Sequence, residues 1–517
     1  MDVKQPSAYI LIVLIALALS LADSVQLMAG SRAPLAKTGS VLPMGPLKVN
    51  PVNPRYFTDG TGKAIYLTGS HTWNNFQDIG DEDAPPFDYT AYLDFLKDHN
   101  HNFIRLWVWE HAAWFQATKE KILFCPMPYE RTGPGEALDG KLKFDLNRFN
   151  QKFFDRLRAR VIAAREKGIY VSVMLFQGFS IEIKGVDTDS RYARYLKRML
   201  RRVRLGAMLT EENNPWRGHP FNARNNINGI NGDPQGKGDG REIHTMNLPR
   251  IMKLQEEYVK KVIDTLNDLD NVLWEISNEG HSDSTLWQYH MINFIHAYEG
   301  TKGRRHPVWM TAQWPGGENS SLFKSPAESI SPNPQDGYKD NPPAADGRKI
   351  IISDTDHLWG MGGDYRWIWK SFLTGLNPIF MDPYNGNVLH NPPSYYCVPA
   401  SPEWELMRKN MGFTLTFAKR IHLVGMVPRP DLASSGYCLA ENGKEYLIYT
   451  QQNGKVTVDL SHVSGKFIVE WFNPMTGVSQ QGLAVKGGAS RSFAPPFSGD
   501  AVLYLSINKQ KRQAQAN

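Results

Sequence analysis

Two short stretches place acidic residues where a barrel enzyme keeps its chemistry. Asn271-Val-Leu-Trp-Glu-Ile-Ser-Asn278-Glu279 reads as a buried strand that stops at an Asn-Glu pair. Its Val272, Leu273, Trp274 and Ile276 favour a packed, pleated setting. Ile350-Ile-Ile-Ser-Asp354-Thr-Asp356-His357 ends in the same manner. The C-terminal tips of parallel barrel strands are where catalytic side chains gather. Hydrolysis of a glycosidic bond needs two carboxyl groups there, one protonated and one ionised. On this reading Glu279 is the acid/base, its proton retained through burial near Trp274 and a neighbouring negative charge. Asn278 hydrogen-bonds the sugar hydroxyl beside the reacting carbon. The nucleophile is Asp354 or Asp356. They lie two apart, so an extended strand points both the same way and alternation does not choose between them. Asp382 is a third candidate for that role.

Other residues cluster around these tips. Arg105 has the fork geometry that holds a carboxylate ionised, or equally that of a structural ion pair. Trp107, Trp109 and Glu110 follow it, and at most one of the two indoles faces the pocket if the strand is regular. His71 and Trp73 would line the substrate floor or simply pack. His357, Asp382 and Tyr384 complete the set of expected substrate contacts. Asp354, Asp356 and His357 are also hard or borderline metal ligands, which makes a metal-dependent hydrolase one alternative. Metal-dependent barrels usually add an early His-x-His, and here His71 stands alone, so neither a metal nor a cofactor is expected. The plain structural reading of Asp-Thr-Asp-His is a turn or helix-cap network, Asp being a good cap.

The elements that must position these residues alternate. Expected barrel strands are Ala64 to Ser70, Asn102 to Glu110, Ile169 to Phe176, Asn271 to Glu279, Pro307 to Ala312, Ala327 to Ser331, Lys349 to Asp354 and Asn377 to Asp382. Helical spacing runs over Asp88 to Asp98, Asn147 to Lys167, Leu248 to Leu266, Ser282 to Tyr298, Asp364 to Leu373 and Glu403 to Arg420. Strand–helix alternation implies a parallel α/β fold. Eight units over residues 51–425 fit a (β/α)8 TIM barrel with insertions. The runner-up is a doubly wound sheet, but no Gly-rich phosphate loop follows an early strand. Beyond Arg429-Pro430 come short strands punctuated by Asn442-Gly443, Asn453-Gly454 and Thr476-Gly477. That spacing predicts a small antiparallel β-sandwich over residues 430–507. An insertion over 177–244 has a basic half, Arg191 to Arg204, and an Asn/Gly half, Asn225 to Gly240. The first reads as a solvated helix face, the second as a plain loop over the active-site face.

Composition narrows the class. A net charge of +6 over 517 residues argues against nucleic acid as the main partner. Fourteen Trp and twenty-one Tyr suit a carbohydrate ligand, because aromatic faces stack on sugar rings. Lys4, the apolar run Tyr9 to Leu19 and Ser20-Leu21-Ala22 form a secretory signal over residues 1–22. The run is too short to span a bilayer comfortably, so a secreted or periplasmic chain free of the membrane after cleavage is expected. Residues 23–50 read as a flexible leader and 508–517 as a disordered tail. Three cysteines allow at most one disulfide.

Several motifs resemble a known family. Asn53-Pro-Arg-Tyr-Phe-Thr-Asp-Gly-Thr-Gly-Lys, Gly69-Ser-His-Thr-Trp, Phe103-Ile-Arg-Leu-Trp and Trp274-Glu-Ile-Ser-Asn-Glu resemble the apiosidase-like family of bacterial secreted barrels. That family is similar to the large clan of retaining (β/α)8 glycoside hydrolases. The clan's acid/base follows an Asn on strand four, and its nucleophile ends strand seven. The resemblance therefore implies Asn278-Glu279 and Asp354 for those roles. The C-terminal part resembles the collagen-binding-type domain that commonly follows such barrels. This chain departs from the clan in carrying Asp354-Thr-Asp356 where the clan has Glu. The barrel and the hydrolase class carry over, and apiose as substrate does not. A non-catalytic glycan- or matrix-binding protein acting through its sandwich is a further alternative. The sugar, the linkage, endo or exo action and the oligomeric state are not encoded in any of these patterns.

Overall fold

The structure, a computed structural model, describes residues 45–80, 85–115, 121–181, 214–384, 401–452 and 454–507. The expected signal, most of the leader, the basic run Arg191 to Arg204 and the tail lie outside the described residues. Eight parallel strands make the barrel: β1 (Gly69–His71), β2 (Phe103–Leu106), β3 (Tyr170–Gln177), β4 (Val272–Asn278), β5 (Val308–Thr311), β6 (Ser329–Ser331), β7 (Ile350–Asp354) and β8 (Asn377–Met381). From β2 to β8 each strand pairs with the next, and β8 pairs with β1. The ring closes between β1 and β2, where the Asn102 N–H donates to Thr68 O at 3.0 Å. Gly69 permits that closeness, since a Cβ there would lie 2.2 Å from Phe103 O. The fold is a TIM barrel.

Helices cover the ring: α1 (Tyr89–Asp98), α2 (Gln151–Glu166), α3 (Pro249–Leu266), α4 (Thr285–Glu299), α5 (Asn319–Lys324), α6 (Thr355–Leu358), α7 (Tyr365–Leu373) and α8 (Pro402–Arg420). Their starts follow side-chain caps. Asp88, Asn150, Asp354, Asp364 and Ser401 each accept a backbone N–H of the first turn. Several elements differ from the sequence expectation; the first strand runs Gly69–His71 rather than Ala64 to Ser70. Helical spacing from Asn147 proves to be strand as far as Phe149, because Leu142–Phe149 pairs with Tyr129–Glu136 before Asn150 caps α2. The second strand also stops at Leu106 rather than at Glu110. Its continuation turns toward a small antiparallel sheet of Asp78–Gly80, Lys121–Cys125 and Ala113–Phe115.

Period two decides what the barrel interior contains. Phe103, Leu273, Trp309, Ile350, Ile352 and Ile379 form the lower interior cluster. Val272, Trp274 and Ile276 instead pack among the helices. Two residues beyond Phe103, Leu273 and Ile352 come Arg105, Glu275 and Asp354, which strand alternation places on the same inward face. All three are wholly buried.

The C-terminal domain is a six-stranded antiparallel sheet with a two-stranded partner. In order along the chain its strands are β9 (Val427–Pro428), β10 (Cys438–Glu441), β11 (Glu445–Thr450), β12 (Val456–Val458), β13 (Lys466–Asn473), β14 (Val478–Lys486), β15 (Arg491–Phe493) and β16 (Ala501–Ser506). The large sheet runs β9-β10-β11-β16-β13-β14, and β12 pairs with β15. Tyr446, Ile448, Trp471 and Leu503 fill the sandwich core. Leu447, Tyr449, Phe472 and Val502 face the other way and join the apolar core of the barrel. Trp369 of α7 and Phe417 of α8 meet Phe472 with ring centroids 5.8 and 5.3 Å apart. Asp500 accepts from Tyr365 Oη at 2.7 Å, Tyr449 Oη at 2.8 Å and Arg366 Nε at 2.8 Å, which fastens the seam.

Candidate active site at the end of the barrel

Arg105 is the centre of the site, and its five N–H groups are all engaged. Nε donates to Glu275 Oε2 at 3.0 Å and Nη2 to Glu275 Oε1, a two-pronged pair inside the barrel. Nη2 also donates to Asn278 Oδ1 at 2.7 Å. Nη1 bridges Asp354 Oδ2 at 2.8 Å and Asp356 Oδ2 at 3.3 Å. The guanidinium lies over Trp107, 4.7 Å from the ring centroid, and over Trp309 at 5.2 Å. Burial would lower its pKa, but Glu275, Asp354 and Asp356 outweigh that and raise it above the ordinary arginine range.

The two aspartates of the seventh strand are not equivalent. Asp354 ends β7 and caps α6, accepting the Asp356 N–H at 2.9 Å. It also contacts His71 Nε2 at 2.9 Å and Arg105. Both of its oxygens are therefore committed, and it is fully buried. Burial would raise this carboxyl, but the contacts with His71 and Arg105 outweigh it and hold Asp354 well below the usual carboxylate range. The chain turns helical at Thr355, so Asp356 does not continue the strand and the shared direction expected from spacing two does not arise. Asp356 reaches past the cap from the first turn of α6. Its carboxyl is pushed well above the ordinary value by burial, then by the charges of Glu279 and Asp354, while Arg105 opposes the shift. Asp356 and Glu279 thus share one electrostatic site.

Glu279 is half-buried just past the tip of β4 with φ +47°, a left-handed conformation that costs a non-glycine residue energy. Neighbouring backbone enforces it. Gly178, beyond the tip of β3, lies so close that a Cβ would sit 2.1 Å from Glu279 O. From the other side the Trp314 N–H donates to Gly280 O at 2.8 Å. Trp274, expected beside Glu279, points instead among the helices and meets His306 at 5.6 Å.

Asn278 and His357 line the same region. Asn278 Oδ1 accepts from Arg105 and from His357 Nε2 at 3.1 Å, and its Nδ2 donates to Gln177 Oε1 at 3.2 Å. His357 Nδ1 lies 2.8 Å from Ser331 Oγ. Burial, then the Arg105 charge, pushes His357 down to about 3. The ring is neutral, with Nε2–H donating to Asn278 and Nδ1 accepting from Ser331. Both ring nitrogens and both Asp354 oxygens are thereby occupied by protein partners. Among the described residues no three His, Cys, Asp or Glu converge to hold a metal ion.

The remaining candidates lie in supporting positions. His71 is buried under the site and stacked on Trp107 at 5.6 Å. Trp73 is half-buried and meets Trp109 edge-on at 6.3 Å. Trp107 and Trp109 are both buried, Trp107 beneath the Arg105 guanidinium and Trp109 lining a cavity with Glu110, Tyr129 and His219, within the expectation that at most one of them faces the substrate pocket. Glu110 faces the 214–248 loop. It contacts His219 Nε2 at 3.4 Å and His244 Nε2 at 3.1 Å, and accepts the Gln177 N–H at 2.7 Å. Burial would raise Glu110, but His244 and His219 bring it down to about 2. Asp382 is fully buried and bound two-pronged by Arg408, Nε at 2.8 Å and Nη2 at 2.6 Å. That leaves it no free face, and Tyr384 beside it packs on Phe95 at 4.9 Å. The acids of the Asn/Gly loop serve the loop itself, Asp233 accepting from Lys237 N and Gly238 N. Sequence reasoning passed over Glu275, Gln177, Gly178, Ser331 and Arg408. For Glu275 a signal existed: a lone acid inside the apolar run Val272 to Ile276 needs a buried cation, and Phe103-Ile-Arg-Leu offers one.

Three solved structures similar to this chain are glycoside hydrolases by description. One from Bacteroides vulgatus ATCC 8482, described as a "putative glycoside hydrolase", has a TM-score of 0.59 at 13% identity over 90% of this chain and 82% of its own. A family 5 glycoside hydrolase from the same organism has a TM-score of 0.57 at 14% identity, covering 91% of this chain and 96% of that one. The likeness is one of fold. A third, described as "Glycoside hydrolase", has a TM-score of 0.55 at 12% identity, over 91% and 99% of the two chains. Residues 426–506 match the family described as "Putative collagen-binding domain of a collagenase". No curated protein sequence matches the chain.

Proposed function

We propose that the chain is a secreted glycoside hydrolase that cleaves an oligosaccharide or polysaccharide with Glu279 and Asp356. What supports this reading is the charge of Glu279, beyond β4, acting on Asp356, beyond β7, whose carboxyl Arg105 contacts inside a TIM barrel. We take the pair to hold one proton between them. In the free protein, burial and the charges of Glu279 and Asp354 favour keeping it on Asp356. Arg105, 3.3 Å away, favours the opposite distribution. The reactive form in our reading has Glu279 protonated and Asp356 ionised. Glu279 gives its proton to the leaving oxygen as Asp356 bonds to the anomeric carbon. Water then replaces Asp356 and returns its proton to Glu279, a retaining sequence. Asp354 remains bound to Arg105 and His71 throughout and positions Asp356 through the α6 cap. The shorter reach of Asp at the strand tip explains why the working carboxyl stands two residues later.

The motifs around Asn53, Gly69, Phe103 and Trp274 support kinship with apiosidase-like barrels, without implying apiose. Turnover on a polysaccharide and aryl-glycoside panel, with Glu279→Gln and Asp356→Asn as controls, tests the proposal. We expect activity in the wild type, loss in both variants with melting temperatures preserved, and activity unchanged after exhaustive chelation. Full turnover by the Glu279 variant would overturn it. The family match of residues 426–506 supports a second reading, a glycan- or matrix-binding protein acting through the sandwich, which requires binding without turnover on every substrate.

A further inference from the structure

Below the proposed carboxyl pair lies a third acid that the mechanism leaves unused. Glu275 is fully buried on the inward face of β4, and its partners come from two other strands. Arg105 of β2 binds both of its oxygens, and Ser172 Oγ of β3 lies 3.4 Å from Oε2. We infer that Glu275 is a positioning residue for the reaction, acting through Arg105. This inference rests on the glycosidase reading above.

The donors of Arg105 are limited in number and fixed in direction. A guanidinium carries five N–H groups in a rigid plane. Glu275 takes Nε–H and one Nη2–H along one edge, which fixes the plane and its rotation about the long axis. The second Nη2–H can then reach only Asn278, and Nη1 alone remains for the seventh-strand acids. Nη1 meets Asp354 at 2.8 Å and Asp356 at 3.3 Å, so the two acids compete for one nitrogen. The tighter contact holds Asp354 in its capping role, and the looser one leaves Asp356 able to move onto a sugar carbon. Without the Glu275 grip the fork can swing to present Nη1 and Nη2 to Asp354 together, which removes the support from Asp356.

Glu275 also sets the charge of the platform. Facing Asp356 are Arg105 from β2, Asp354 from β7, Glu279 beyond β4 and the neutral His357 on its own helix, with His71 of β1 behind Asp354. Glu275 offsets much of the Arg105 charge. Its removal leaves Arg105 uncompensated and makes the shared proton easier to lose.

Glu275→Gln keeps the shape and removes the charge, while Glu275→Asp keeps the charge and shortens the reach. Two readouts separate this inference from the reading beneath it. The first is steady-state kinetics on the substrate that the wild type turns over fastest. We expect kcat to fall by about a hundredfold in Glu275→Gln with KM little changed, and the pH profile to move to lower pH. Glu275→Asp should keep the wild-type pH profile and recover part of kcat. The second needs no turnover. Infrared difference titration follows the protonated carboxyl band that Asp356→Asn removes. That band should disappear at lower pH in Glu275→Gln than in the wild type. Unchanged kcat and an unmoved band in a folded Glu275→Gln protein overturn the inference, even where Glu279→Gln is inactive. An unmoved band alone overturns it where the protein shows no turnover at all.

Discussion

Replacing Arg105 by Lys keeps a positive charge at the centre of the site and removes the fork. Arg105 makes five charge-assisted or polar hydrogen bonds in a fully buried setting. A lysine ammonium has three donors on a point charge and cannot serve Glu275 at two atoms while reaching Asn278, Asp354 and Asp356. At least two bonds to charged partners are lost, each contributing about 1.5–3 kcal/mol. The carboxylates left behind remain buried, where breaking such a network costs about 3–5 kcal/mol. Against a total stability of about 5–15 kcal/mol this is a large fraction, and the variant should melt well below the wild type. Activity should fall further than stability, because Asp356 loses the Arg105 Nη1 contact that positions it, and a displacement near 1 Å costs about a hundredfold. Arg158→Lys is the control. Arg158 grips Asp268 by two prongs in the same way, yet the pair is exposed, with side chains 39% and 59% accessible. Its loss should stay within about 1 kcal/mol. The assay is urea denaturation of both variants beside the wild type, with kcat measured below the transition. Equal midpoints for the two variants, or wild-type kcat in Arg105→Lys, would refute the reasoning.

Three further outcomes follow. Gly178→Ala places a Cβ within 2.1 Å of Glu279 O; it should destabilise by about 1–3 kcal/mol and cut kcat far more than it raises KM, as steady-state kinetics on the purified variant will show. Glu110 is brought down to about 2 from an ordinary 4.5, so its contribution of roughly 3 kcal/mol is complete above the ordinary value and is lost as pH falls toward the lowered one. Glu110→Gln should therefore flatten the fall in melting temperature between about pH 4.5 and 2, which calorimetry across that range will check. Asp500→Asn removes the charge that receives Tyr365, Tyr449 and Arg366; a loss of about 2–3 kcal/mol is expected, together with faster proteolysis near residue 426, read by limited digestion.

The parts of the fold that were legible in the sequence are those with a clear period and a clear stop. The fourth strand could be read because Val272 to Ile276 is continuously apolar and ends in Asn278-Glu279. α1 and α7 could be read because Asp88 and Asp364 cap them. The hairpins at 121–149 were missed because Leu142-Lys-Phe-Asp-Leu alternates in register with the helix that follows Asn150, and local pattern cannot locate the switch. β14 was missed because Val478 to Lys486 is an exposed edge strand with little apolar alternation. At the site, the cap reading of Asp-Thr-Asp-His and the ion-pair reading of Arg105 describe what the structure contains, since Asp354 caps α6 and binds Arg105. Which aspartate lies nearer Glu279 depends on where β7 ends and α6 begins, and spacing alone carries no such information. Glu275, Asp382 and Arg408 show a related limit. Their buried ion pairs, Arg408 with Asp382 and Arg105 with Glu275, join residues 26 and 170 positions apart, and only the folded barrel reveals the partner.

The most direct test of the Glu279–Asp356 account is to trap the covalent intermediate. A 2-fluoro glycoside matched to the substrate found by panel screening would be incubated with the protein, and the labelled peptide sequenced by mass spectrometry. The account predicts one sugar per chain, attached to Asp356, accumulating in the wild type and absent from Asp356→Asn. Attachment to Asp354 or Glu279, or products of inverted anomeric configuration with no adduct, would contradict it.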